Sequence, residues 1–181
     1  FLTWDSEYAQ IESQANTFAA SLLMPLNDFR NNIGQRDKPS LADIGGCAER
    51  YGVSLTAAIL RWLQYTSRRS ILVVSRDGYI KWARSSTPAL NSGLYFKTKN
   101  QPPIPVPPTS LAASAVSLGE QNLEKQHDKA VWKSEACTEF IIASDKYDLV
   151  FSLLHFEDLD RGDYFGDTPS FDSYDQFVRN S

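Results

Sequence analysis

The sequence predicts an α+β fold, with N-terminal helices that include a helix-turn-helix-like pair, followed by a mixed α/β module with antiparallel hairpins. Three observations predict it. Apolar residues recur at helical spacing as far as about Thr66. From Ser70 the period changes from 3.6 to 2, and Asp77-Gly78 falls between two β-rich runs. The 181 residues are enough for one large core or two small ones. The expected division is a helical region over 1–68, an α+β module over 69–157, and an acidic aromatic tail over 158–181.

The first helix is expected from about Ser6 to Met24, capped by Asp5 or Ser6. Ile11, Ala15, Phe18, Ala19 and Leu22 give it an apolar face, and Pro25 ends it by biasing Met24 away from the αR region. A short helical turn through Phe29 and Ile33 follows, with Gly34 after it. Ser40 opens the next helix as a cap, with Asp43 three residues on as a capping-box partner. Leu41, Ile44, Ala48 and Tyr51 form its stripe and Gly52 ends it. Ser54 caps a further helix carrying Leu55, Ile59, Trp62 and Leu63.

Ile71 to Ser75 is the first strand, Arg76-Asp77-Gly78 the turn, and Tyr79 to Arg84 the return. Leu94 to Lys97 is another strand candidate. Five prolines between Lys99 and Pro108 rule out a helix or central strand there and predict an extended connector. Ser110 to Leu118 has helical spacing, and Glu120 to Lys129, polar and mixed in charge, is expected to be an exposed loop holding a solvated His127. Runs 139–144 and 149–156 flank Asp145-Lys146-Tyr147-Asp148 as a second hairpin, with His155 as a satisfied core or edge histidine.

Composition narrows the function. A net charge of −4 argues against the basic field of a non-specific nucleic-acid binder. Seven acids and two Arg lie between Glu157 and Ser181, a net of −5, which leaves +1 on the rest of the chain. No apolar run approaches the roughly 20 residues of a membrane helix. Two cysteines, Cys47 and Cys137, are too few for a disulfide framework and fit buried thiols in a reducing compartment, so a cytoplasmic location is expected.

Most of the chemical information lies in one string, Glu12-x-x-Ala15-Asn16-x-Phe18-Ala19-x-x-Leu22-Leu23-Met24-Pro25. It resembles the third-ligand helix of the ImmA/IrrE family of zinc metallopeptidases. The resemblance implies that Glu12 is the third zinc ligand and that Asn16, one turn on, is a partner behind it. It also implies a zincin-type helical fold, and a protein substrate, typically a repressor. In such sites two imidazoles one helical turn apart complete the zinc site, and a Glu between them acts as general base. This chain has only His127 and His155, not so spaced, and ten residues before Ile11, too few for such a helix. The chain is therefore expected to be an inactive C-terminal part of a longer enzyme, contributing no catalytic residue of its own and holding no zinc alone.

Two other functions compete. In one, residues 70–157 bind a small molecule or protein in a pocket lined by Trp82, Tyr95, Phe96 and Trp132, rings that serve equally well in a core. In the other, Ala48 to Ser54 is the turn of a helix-turn-helix bound to DNA. A recognition helix offers Arg, Lys, Asn or Gln to base edges, whereas this one begins Leu55-Thr56-Ala57-Ala58-Ile59-Leu60, which favours a tight αα-corner. Asp158 to Asp163 has the alternating acids of a calcium loop but lacks its sixth-position Gly and distal Glu.

Overall fold

The caps expected at Ser40 and Ser54 form with their own hydrogen bonds, while the cap expected at Asp5 or Ser6 lies outside the described residues. The computed structural model describes residues 15, 18–118, 123–144 and 148–158. Residues 18–23 are helical, and Met24 N–H donates to Ala20 O at 3.0 Å before Pro25 breaks the run. Helix α1 (Leu26–Asn32) follows at once. Helix α2 (Leu41–Tyr51) carries the reciprocal capping box: Ser40 Oγ accepts from Asp43 N, and Asp43 accepts from Ser40 N at 2.8 Å. Gly52, at φ 63°, closes it in the left-handed region. Ser54 Oγ then accepts from Ala57 N to start α3 (Leu55–Tyr65).

The sheet begins with β1 (Ser70–Arg76) and β2 (Tyr79–Ser85), joined by Asp77 and Gly78, both at positive φ as a type I′ hairpin requires. After α4 (Thr87–Asn91), the proline segment contributes only β3 (Ile104–Pro105), paired to β2. Helix α5 (Leu111–Leu118) precedes β4 (Leu123–His127), β5 (Cys137–Ser144) and β6 (Leu149–Phe156). The six strands form one sheet in the order β3-β2-β1-β6-β5-β4, with every pair antiparallel. The two hairpins meet where β1 pairs β6, Leu72 opposite Leu153.

Alternate residues of β1 serve opposite faces. Leu72 and Val74 join Phe151 and Leu153 under α1–α3, packed against Phe29, Ile44, Ile59 and Trp62. Ile71 and Val73 face the other way, with Leu154, Phe156, Ala89, Ala112 and Trp132. Burying a residue such as Leu153 or Ile59 in these layers is worth about 1.5–3 kcal/mol, and both are fully buried.

Three expectations need correction. His127 is not solvated in a loop: it ends β4 and is 5% exposed, because a buried carboxylate on β5 satisfies its imidazole. Leu94 to Lys97 is not a strand. Leu94 is buried in the second cluster, while Lys133 Nζ takes Tyr95 O, so the segment is held without a ladder. The face of the first helix read as core is exposed where it is described, with Phe18 at 70% and Leu22 at 68%. Periodicity shows that a face is apolar, and here α1–α3 pack elsewhere. The expected residues 1–14, Asn16 and the tail from Leu159 lie outside the described residues.

Candidate functional site

The end of the first helix is fixed by a buried arginine. Met24 is 1% exposed, and Arg61, on α3 and 8% exposed, donates from Nε to Met24 O at 3.0 Å. A second guanidinium nitrogen donates to Gln64 Oε1. Burial holds the Arg61 guanidinium below its ordinary range, and the nearby Arg30 charge adds to this. Arg30 lies over the Tyr65 ring at 5.3 Å. Among the described residues neither arginine has a carboxylate within ion-pair distance.

Glu12 and Asn16 are outside the described residues, but spacing relates them to residues that are not. In the sequence, positions 12, 16, 19 and 23 succeed one another by four, three and four, the spacing expected of one helical stripe. Its described members face solvent: Ala19 is exposed and Leu23 is 54% exposed. Ala20 is on the body side, packed against the helix-side core.

Both histidines are committed to internal hydrogen bonds. His155 is 2% exposed, with Nε2 3.0 Å from Pro39 O and Nδ1 2.8 Å from Ser70 Oγ. A carbonyl can only accept, so Nε2 carries the proton and Nδ1 accepts from the Ser70 hydroxyl. Burial pushes the His155 pKa down to about 4. His127 Nε2 lies 2.6 Å from Glu139 Oε2. Glu139 is fully buried and also accepts from Leu111 N, Ala112 N and Ser152 Oγ at 2.9–3.1 Å. It thereby holds the first turn of α5 on the sheet. The Ser152–Glu139–His127 order places the carboxylate in the middle. It is no nucleophile–base–acid relay, since the serine proton points at Glu139 rather than at an imidazole.

A zinc site does not fit the described residues. Among them no three His, Cys, Asp or Glu side chains gather as a metal cluster, and both imidazoles are already partnered. Cys47 and Cys137 are buried on opposite faces of the sheet, and burial raises both thiols, Cys137 to about 12.

The candidate aromatic pocket is divided by the sheet. Trp82 packs against the helix-side core, whereas Phe96 and Trp132 meet edge to face at 6.1 Å on the other side. Lys133 Nζ lies 3.9 Å from the Phe96 ring centre and donates to Tyr95 O. Neither described cleft is lined by these four residues. One of about 410 Å³ runs between Asn32–Pro39 and α2 over Gly46 and Cys47, and one of about 340 Å³ lies between the hairpin tip and Pro102–Pro103.

The start of α3 packs inward, Ala58 and Ile59 being fully buried, so it offers no polar row to a DNA groove. Among the described residues no helix is long and apolar enough to cross a membrane. Sequence reasoning missed Glu139 and Arg61. Glu139 opens an apolar run, where a carboxylate needs several donors, and that was the available signal. No curated protein matches the chain. Residues 5–63 match the peptidase family model of the IrrE N-terminal-like domain, from before Glu12 to Leu63 on α3, so this third of the chain is similar to that family.

Proposed function

We propose that this chain is the C-terminal part of a zinc-dependent metalloendopeptidase of the ImmA/IrrE type, acting in the cytoplasm on a repressor-like protein. Glu12 supplies a carboxylate to the metal and Asn16 supports it from one turn behind. The observation that carries this reading is the family match over the segment containing Glu12. The exposed stripe adds support: Ala19 and Leu23 continue the spacing of Glu12 and Asn16 on an apolar face that α1–α3 leave uncovered. The imidazoles come from a segment outside this chain, since His127 and His155 are engaged in its own core. The sheet of residues 69–157 serves as the floor beneath the helices, through Leu72, Val74 and Leu153.

The test is Glu12→Gln in the longer protein, with zinc content and substrate cleavage both measured. The amide keeps the size and helix propensity of Glu but loses the charge that binds metal. Zinc and cleavage should both be lost at an unchanged unfolding midpoint, while Glu7→Gln changes neither. Asn16→Ala should cost about 10–100-fold. Retention of zinc and cleavage in Glu12→Gln would make it an ordinary helix residue.

A further inference from the structure

Charge is unevenly placed in the part of the chain that the peptidase family match does not reach. Residues 78–119 hold four Lys and Arg and no Asp or Glu, where the average of 22 acids in 181 residues would place about five. The four cations are Lys81 and Arg84 on β2, and Lys97 and Lys99 in the segment after α4, and all are exposed. Among the described residues none of them has a carboxylate within ion-pair distance. The acids at the hairpin end are turned to another cation: Asp77 and Asp148 lie 3.8 and 3.4 Å from Arg76. A solvated surface ordinarily mixes both signs. Exclusion of one sign suits a partner that carries it.

The same stretch exposes rings, Tyr79 at 49% and Tyr95 at 48%. Tyr79 lines the cleft of about 340 Å³ at the β2–β3 margin, together with Lys81, Thr98, Pro102 and Pro103. Thr98 stands between Lys97 and Lys99, and Tyr95 is three residues before it, within about 11 Å along the chain. Arg84 is three residues past Lys81, about 10 Å further along β2. Cations and rings therefore alternate around one margin of the sheet.

A partner with one or two carboxylates would answer only part of this arrangement. A strand of phosphates with unpaired bases answers all of it, because each phosphate attracts a Lys or Arg and every base has a face that stacks on an exposed ring. We propose that this margin binds single-stranded nucleic acid without sequence preference, with phosphates on Lys81, Arg84, Lys97 and Lys99 and bases on Tyr79 and Tyr95. The whole-chain charge of −4 hides the site, since seven acids lie between Glu157 and Ser181. The binding uses nothing at Glu12 and stands apart from the peptidase reading.

The test is fluorescence anisotropy of the whole 181-residue chain with a labelled oligothymidylate of about 20 nucleotides, over about 50–300 mM salt. Four phosphate contacts give log affinity a slope of about −2.8 against log salt. Lys97→Gln with Lys99→Gln should halve that slope, to about −1.4. Tyr79→Ser should weaken binding about tenfold at every salt concentration and leave the slope unchanged. Lys129→Gln, two residues past β4 at the opposite margin, should change neither. All these side chains are exposed, so the unfolding midpoint should hold in every variant. No binding by the whole chain, a slope that ignores the lysine pair, or wild-type affinity in Tyr79→Ser overturns the proposal. So does a duplex of the same length that binds as tightly as the single strand. Displacement of the oligonucleotide by an oligoglutamate of equal charge also overturns it, and would assign the margin to an acidic protein.

Discussion

Acidification should destabilise this protein through His155. The imidazole lies 2% exposed between β6 and the helices, bonded to Pro39 O and Ser70 Oγ and flanked edge-on by Trp62 and Phe140 at 5.5 Å. Its pKa is depressed from 6.5 to about 4, chiefly by burial, with the Lys38 and Arg68 charges adding to the effect and the Pro39 hydrogen bond opposing it. Between those values the unfolded chain binds the proton and the native chain does not, so stability is present above pH 6.5 and falls as pH drops toward 4. At about 1.4 kcal/mol per pH unit the loss comes to roughly 3 kcal/mol, a large share of an ordinary domain's 5–15 kcal/mol. Urea midpoints from about pH 7.5 to about pH 4.5 measure it, in wild type and in His155→Gln. Gln cannot titrate, whereas every other group is common to both proteins, so the difference isolates His155. Wild type should lead at neutral pH and lose most of that lead by the acid end. Parallel curves, with a difference constant to about 0.5 kcal/mol, would show that burial of His155 does not set the pH response.

Other positions give sharper single tests. Glu139→Ala strands two helix N–H groups, the Ser152 hydroxyl and His127, and should cost about 3–5 kcal/mol, read as a lowered urea midpoint. Glu139→Gln keeps one acceptor oxygen and should cost less. Gly52→Ala meets no neighbour at Cβ, so its loss of about 1–2 kcal/mol comes from the φ of 63° alone. The thermal midpoint should fall accordingly, and an unchanged midpoint would contradict the left-handed cap.

The legible parts of the fold were those whose cause is local. Ser40 with Asp43, Ser54, Gly52, and Asp77 with Gly78 each determine their own backbone within four residues, and all form as expected. Strand β4 was hidden because Leu-Glu-Lys-Gln-His has no apolar alternation. Its identity as a strand comes from β5 and from Glu139, twelve residues away from His127. Pairing of β1 with β6 is more distant still, joining Ser70 to His155 across 85 positions. The string around Glu12 was legible as a motif, while the exposure of Phe18 and Leu22 was not, because a periodic pattern carries no record of its partner.

A sheet with two open margins is a template on which further copies can add, and this one blunts its margins by different means. On one side β3 is two residues long and ends in Pro105, with Pro102, Pro103, Pro107 and Pro108 around it, so few N–H groups are available to a stacking chain. On the other, β4 exposes Glu124, Lys125 and Gln126 in succession, and a parallel in-register copy would set like charges opposite one another. Removing those charges is therefore a matter of colloidal behaviour more than of folding: Glu124→Val with Lys125→Val would leave the core untouched and turn that margin into a nucleus for fibrils.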